Sequence, residues 1–224
     1  MRLLFLGPPG AGKGTQAKMI AEKFGLLHIA PGDIFRQEVK EGTELGRLVE
    51  GIMARGQLVP DDITVRIIEK RLNSPEAQKG FVLDGFPRNL AQAEALKSIL
   101  EKKGQHLDLV IDLLVPQEEL LERSRTRRVC SKCGRSYNLK LNPPKVEGKC
   151  NVCGGDLVTR QDDKEDTVRE RFRVYHEETE PLREYYMKSG ILVSIDGCGE
   201  VECVCKRVIA SLSDRGLIKE AIEE

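Results

Sequence analysis

Along the chain, short unbroken apolar runs alternate with longer stretches in which apolar residues recur every three or four positions. Arg2-Leu-Leu-Phe-Leu6 is apolar after its first residue and meets Gly7-Pro8-Pro9 at once, the pattern of a central parallel strand buried on both faces. Ala17, Ile20, Ala21 and Phe24 then share one side of a helix expected over 13–24, stopped by Gly25. Leu26 to Ala30 reads as a second strand. Phe81-Val-Leu-Asp84, Leu109 to Val115 and Ile191 to Ile195 read as further buried strands, with a helix from Leu90 to Lys102 between two of them. Strands alternating with helices predict an α/β fold, a parallel sheet flanked by helices and joined by right-handed crossovers.

Two segments break this rhythm. From Asp33 to about Arg71 the pattern is helical but interrupted by Gly42, Gly46, Gly51 and Gly56, which predicts a small helical insertion rather than more sheet. Residues 128 to about 160 carry two Cys-x-x-Cys pairs, Pro143-Pro144 and several glycines, and read as a second insertion. There is no internal repeat or low-complexity tail, and Glu220 to Glu224 is a short charged end expected to fray.

With 224 residues, 40% of them hydrophobic, the chain can bury its own core as one large domain or a core bearing insertions. Lys plus Arg equals Asp plus Glu at 36 each, so no global field draws the protein to nucleic acid or an anionic membrane, and any anion site must be local. Six Phe, four Tyr and no Trp leave little material for stacking on bases. No apolar run reaches about eighteen residues and the first strand is too short for a signal peptide, so a cytosolic protein is expected. No exposed apolar heptad suggests self-association, and a monomer is expected.

Seven cysteines is an odd number, and in a reducing compartment the paired ones point to metal rather than disulfides. Cys130-x-x-Cys133-Gly and Cys150-x-x-Cys153-Gly stand sixteen residues apart, inside the window for a tetrahedral Zn²⁺ site with two tight knuckles. Four thiolates leave no open position, so such a metal is structural. Cys198, Cys203 and Cys205 are placed differently and read as small buried apolar residues.

The strongest chemical signal is Gly7-Pro-Pro-Gly10-Ala11-Gly12-Lys13-Gly14-Thr15, because it lies between a predicted strand and a predicted helix. Glycines there let backbone N–H groups converge on phosphate oxygens at a helix N-terminus, and Lys13 adds a movable cation. Other loops of this kind place Ser or Thr directly after the lysine, whereas here Gly14 intervenes before Thr15.

This variant resembles the phosphate loop of nucleoside monophosphate kinases, and the likeness extends along nearly the whole chain. Pro31-Gly-Asp33-Ile-Phe-Arg36 resembles the opening of their monophosphate-binding insertion. Asp84-Gly85-Phe-Pro-Arg88 resembles their second phosphate clamp, with Gln92 at the adenine-reading position. Arg123-Ser-Arg-Thr-Arg127-Arg128 leads into the cysteine-bearing lid, and Arg160-Gln-Asp162-Asp163 with Arg169-Glu-Arg171 leads out. Taken in order, these motifs are similar to those of adenylate kinases of the long-lid kind.

The resemblance implies a P-loop NTPase-like core over 1–30, 61–125 and 164–224, a monophosphate-binding insertion at 31–60 and a zinc-bearing lid at 126–163. It implies reversible transfer of a phosphoryl group from Mg-ATP to AMP, giving two ADP. In that reading the loop backbone and Lys13 hold the ATP phosphates, and Arg123 stacks on the ATP adenine. Arg36 and Arg88 fork onto the AMP phosphate, and Arg127, Arg160 and Arg171 surround the moving group. Gln92 and the backbone near Gln57, Leu58 and Val59 read the AMP base, with Gly85 close by. Mg²⁺ needs few protein oxygens; Asp84 is the first candidate and Asp33 and Thr15 the seconds, although either aspartate could instead cap a helix. Arg125, Arg128, Arg169 and Arg173 are expected on solvated faces.

One position departs from the family pattern. Adenylate kinases usually carry Thr before Gly-Asp, with its hydroxyl near the AMP base, and this chain has Pro31, which offers neither a hydroxyl nor an N–H. A kinase of the same fold for CMP or UMP is the alternative enzyme. A nucleic-acid-binding zinc ribbon and a regulatory ATPase switch are the alternatives from other classes, weakened by the balanced charge and by the two clamp arginines.

Overall fold

The computed structural model describes residues 1–219, so the charged end Glu220–Glu224 lies outside the described residues. Its core sheet holds five parallel strands in the order β2 (Leu27–Ile29), β3 (Phe81–Asp84), β1 (Arg2–Leu6), β4 (Leu109–Leu114) and β8 (Leu192–Asp196). Side chains alternate across the sheet as the pleat requires. Leu3 and Phe5 enter one buried cluster with α1 (Lys13–Phe24), α7 (Glu165–Val174) and α9 (Val201–Asp214), through Ala17, Ile20, Phe172, Val208 and Leu212. Leu4 and Leu6 enter the other, against α4 (Asp61–Leu72), α5 (Leu90–Glu101) and α8 (Pro181–Lys188), through Ile68, Leu96 and Leu182. The result is three layers with a core on each face of the sheet, which is why the strand sequences are continuously apolar. No helix of the described residues is long and apolar enough to cross a membrane.

The first helix runs over 13–24 as the pattern predicts, and β1 and β3 have the expected ends. The second strand is shorter than 26–30, β4 stops at Leu114 rather than Val115, and the last strand is shifted by one residue to 192–196. The segment after β2 is helical: α2 (Pro31–Glu41) and α3 (Glu44–Ala54) share a small core of Phe35, Val49 and Val59 before α4 returns the chain to the sheet. Thr43 caps α3, its Oγ1 accepting the Gly46 N–H at 3.0 Å. A Cβ at Gly46 would sit 2.2 Å from the Glu38 carbonyl oxygen, so this glycine is what lets α3 fold back onto α2.

After β4 come α6 (Gln117–Thr126) and a three-stranded antiparallel sheet in the order β6 (Ser136–Asn138), β5 (Arg127–Cys130), β7 (Leu157–Val158). Its core is no more than Cys130, Tyr137 and Cys150 with Leu157 packed against them. A π-type turn at Tyr175–Thr179 links α7 to α8. The cysteines outside the knuckles differ from the uniform burial expected of them: Cys205 is buried, Cys198 is half-buried and Cys203 is exposed, because only Cys205 lies on the sheet-facing side of α9. Arg125, Arg169 and Arg173 lie on solvated faces, the last two with i,i+4 partners Glu165 and Glu177.

Candidate active site and metal centre

One cleft opens at the carboxyl edge of the sheet, lined by the loop after β1, the helical segment 31–59, the start of α5 and the antiparallel sheet. Every residue singled out for nucleotide chemistry lines it. Gly10 through Thr15, Pro31, Asp33 and Arg36, Gln57 and Val59, Asp84 to Gln92 through Gly85 and Arg88, and Arg123, Arg127, Arg160 and Arg171 all face the same space.

The loop after β1 curls so that Gly12, at φ 94°, leads into α1. Lys13 turns back, its Nζ donating to the Gly7 and Pro8 carbonyls at 2.6 and 2.8 Å. Burial pushes its ammonium down to about 7; Asp84 opposes this, while Arg88, Arg171 and Arg127 reinforce it. Burial alone would raise the Asp84 carboxyl, but His28, with Nε2 3.7 Å from Oδ2, and Lys13 outweigh it and hold the group below its ordinary value. The unusual Gly14 has a geometric cause. A Cβ there would lie 2.9 Å from Asp84 Oδ2, so glycine is what lets this carboxylate close on the loop.

Arg88, whose charge reaches Lys13, is fixed by its backbone as much as by its side chain. Its Nε donates to Gly85 O at 2.9 Å, its N–H to Gln92 Oε1 at 2.8 Å, and its carbonyl accepts from Thr179 Oγ1 at 2.7 Å. Asp33, in the first turn of α2, pairs with Arg36 and lies 3.2 Å from Lys18 Nζ; burial would raise it, but these two cations bring it to about 2. Asp84 ends β3 and the cap of α2 is Ala30, so neither aspartate is a helix cap.

The arginines at the ends of the antiparallel sheet converge on two carboxylates. Arg127 donates from Nε to Asp163 Oδ2 at 2.8 Å, and Arg160 reaches Asp162 at 3.0 and 2.8 Å. Arg171 donates to Asp162 O at 3.0 Å and to Oδ2 at 3.1 Å. Burial and the crowding of like charges press Arg160 and Arg171 below the usual guanidinium value, and the same cations hold Asp162 well below the carboxylate range against its burial. Arg123 is held by two bonds to Glu119, one to Gly197 O at 2.8 Å and a longer one to Ala11 O at 3.4 Å.

The cysteine pairs form a second centre. The Sγ atoms of Cys130, Cys133, Cys150 and Cys153 lie within 4.8 Å of one another, with Cys130–Cys153 at 3.4 Å and Cys133–Cys150 at 3.6 Å. Four thiolates at zinc–sulfur distances of about 2.3 Å stand roughly 3.8 Å apart, so the cluster fits a tetrahedral metal with little adjustment. Tyr137, buried beside it, accepts the Asn151 N–H at 2.8 Å and so donates its hydroxyl to Cys150 Sγ at 3.3 Å.

Several residues here carry no sequence motif. His28 stands behind Asp84, Asp61 bonds Gln92 and Asn89, and Thr179 holds Arg88. Asp162 and Asp163 belong to the motif after the cysteine-bearing segment, but their pairing with three arginines is not readable from it. The loop after β8 and the start of α9 also line the cleft, through Gly197 and Gly199 and through Val201 and Val204. A histidine interrupting a short apolar strand was the one available signal for His28; the others act through neighbours and leave none.

The family model of adenylate kinase matches residues 5–191. The chain is 52% identical to the adenylate kinase of Archaeoglobus fulgidus over 95% of its length and 98% of that protein. It is 51% identical to that of Methanothrix thermoacetophila, covering 95% and 99%, and 50% identical to that of Thermoanaerobacter sp., covering 96% and 100%. With a phosphate loop and a second set of guanidiniums lining one cleft, and these likenesses spanning nearly all of its length, the chain belongs to the adenylate kinase family.

Proposed function

We propose that the cleft moves the terminal phosphoryl group of Mg-ATP onto AMP, and back, with its two nucleotides held at opposite ends. The observation that carries this reading is the gathering of two cation sets in one space. Lys13 and the loop backbone, Arg36 and Arg88, and Arg127, Arg160 and Arg171 all line it, and the charges of Arg88, Arg171 and Arg127 all reach Lys13. A phosphate-loop switch that hydrolyses a single nucleotide has no need of the second set. Phosphoryl transfer asks little covalent chemistry of a protein and much alignment and charge neutralisation, which these groups are suited to give.

In this reading Lys13 leaves its carbonyls for the transferred phosphoryl oxygens, and Arg36 and Arg88 fork onto the AMP phosphate. Arg127, Arg160 and Arg171 exchange Asp162 and Asp163 for the moving group, and Arg123 lies over the ATP adenine. Gln92 and the backbone of 57–59 face the AMP base. Mg²⁺ neutralises phosphate charge when bound; the ionised Asp84 at the sheet edge suits a cation that keeps most of its waters, with Thr15 and Asp33 as further oxygens. The four cysteines suit a structural zinc that does not enter the reaction. We infer that segments 31–60 and 126–163 move over a core of 1–30, 61–125 and 164–224, in a cytoplasmic monomer whose seven cysteines are all unbridged.

A coupled assay with Mg-ATP and each of AMP, CMP, UMP and GMP tests the assignment. AMP should give the highest kcat/KM; a pyrimidine monophosphate in first place would sink the adenine reading.

A further inference from the structure

Gln92 is buried, 2% exposed, yet it lines the acceptor end of the cleft with both ends of its amide committed. Its Oε1 accepts the Arg88 backbone N–H at 2.8 Å, and its Nε2 donates to Asp61 Oδ1 at 2.6 Å. The partners settle which end is which. A peptide N–H only donates and an ionised carboxylate only accepts, so a rotated amide would set donor against donor and acceptor against acceptor. Asp61 is the first residue of α4 and is itself held by Asn89 Nδ2 at 3.1 Å from each carboxylate oxygen. Asn89 caps α5 by accepting the Gln92 N–H at 2.8 Å, which closes the network on itself.

We propose that Asp61 is a specificity-determining residue which, by fixing the orientation of Gln92, makes the acceptor pocket favour a 6-amino purine over a 6-oxo purine. The inference rests on the reading that Gln92 faces the acceptor base. An amide has two N–H donors and two lone pairs on oxygen. With one of each spent on Asp61 and Arg88, one donor and one acceptor are left for the ligand. Adenine presents the complementary edge, a ring nitrogen that accepts beside an amino group that donates. Hypoxanthine and guanine present the reverse, a carbonyl beside a ring N–H. To serve them Gln92 would have to rotate, turning its oxygen onto the Asp61 carboxylate and its amino group onto the Arg88 N–H. Unpaired or opposed polar groups in a buried site are the strongest source of discrimination available to a binding pocket. Asp61 acts through Gln92, so it is a positioning residue whose mark is a ratio between substrates, not a general loss of activity.

The test is kcat/KM for AMP and for IMP in the parent enzyme and in Asp61→Ala, Asp61→Asn and Gln92→Leu. Asp61→Ala should lower the AMP-to-IMP ratio by about tenfold, the scale of one to two hydrogen bonds, with the KM for Mg-ATP unchanged. Asp61→Asn can present a carbonyl oxygen at the same place and should keep the ratio within about twofold, a fraction of one hydrogen bond. Gln92→Leu should collapse it. An unchanged ratio in Asp61→Ala alongside a collapsed one in Gln92→Leu overturns the role of Asp61 and leaves the Gln92 reading standing. An unchanged ratio in Gln92→Leu overturns both. If Asp61→Ala fails to fold, Asp61→Ser, which keeps a polar group at the start of α4 without the carboxylate, takes its place with the same expectation.

Discussion

Lys13 shows how much one residue's environment decides. In the free enzyme its ammonium titrates near 7, because burial and the guanidiniums around it outweigh Asp84. A bound polyphosphate must raise that value, so above about pH 7 nucleotide binding takes up protons and weakens as pH rises, by the linkage between binding and protonation. Calorimetry in buffers of different ionisation enthalpy should detect this uptake between pH 7 and 9 and should find it abolished in Lys13→Ala. The same substitution should cost two to three decades or more in kcat, roughly the scale of a lost electrostatic catalytic group, while leaving the melting temperature nearly unchanged. More than about a tenth of the parent kcat would count against the phosphate-loop assignment. At position 31, proline occupies the first turn of α2, where its missing N–H costs the helix nothing. It also withholds a hydroxyl from the cleft. Pro31→Thr should tighten AMP binding by a few fold, since one neutral hydrogen bond is worth about 1 kcal/mol; unchanged AMP, CMP and UMP ratios would show that this position does not read the base. The glycines, lysine and arginines that line the cleft were legible in the sequence because phosphate chemistry demands those residue types at fixed spacing. His28, Asp61 and Thr179 were not, since each works by holding another side chain or carbonyl and nothing in their spacing marks that duty.

Among elements, legibility followed burial. Strands covered on both faces appear as unbroken apolar runs, and α1 and α5 show a full apolar stripe. Helix α7 buries only Thr167, Val168, Phe172 and Val174 and gives its remaining positions to charge, so its period is hard to see beside the cleft arginine it carries. The antiparallel strands are too short, at four, three and two residues, for alternation to register at all. What unites that sheet is the cysteine cluster, because four residues of apolar packing supply too little burial to hold it. Metal analysis should therefore find about one zinc per chain, as for other four-thiolate sites. Chelation or Cys130→Ser should lower the melting temperature more than it lowers activity at moderate temperature. Activity that vanished in an intact fold with magnesium restored would refute a purely structural metal.

For the whole molecule, the two insertions meet directly: Lys40 Nζ on α2 donates to the Ser131 carbonyl inside the first cysteine knuckle at 2.9 Å. Closure that excludes water and then reopens to release two charged products should therefore move both segments together. Hinges are expected around 126–128, where α6 passes straight into β5, and around 160–166, where a single turn at Gln161–Asp163 precedes α7. Distances between labels on residues of the cysteine-bearing sheet and on the core should lengthen without nucleotide and shorten with a bisubstrate dinucleotide; a distance fixed in both states would exclude the motion.

The pairing of Arg127, Arg160 and Arg171 with Asp162 and Asp163 has a consequence for how the enzyme meets salt. In the proposed reading these aspartates stand in for substrate phosphates, so the cleft carries its own counter-ions and need not recruit them from the buffer. Nucleotide arrival is then a swap of one anion for another, with few small ions set free. Affinity for ATP should accordingly fall less steeply with added salt than a cleft with this many cations would otherwise show, and Asp162→Asn should steepen the dependence while tightening binding at low salt.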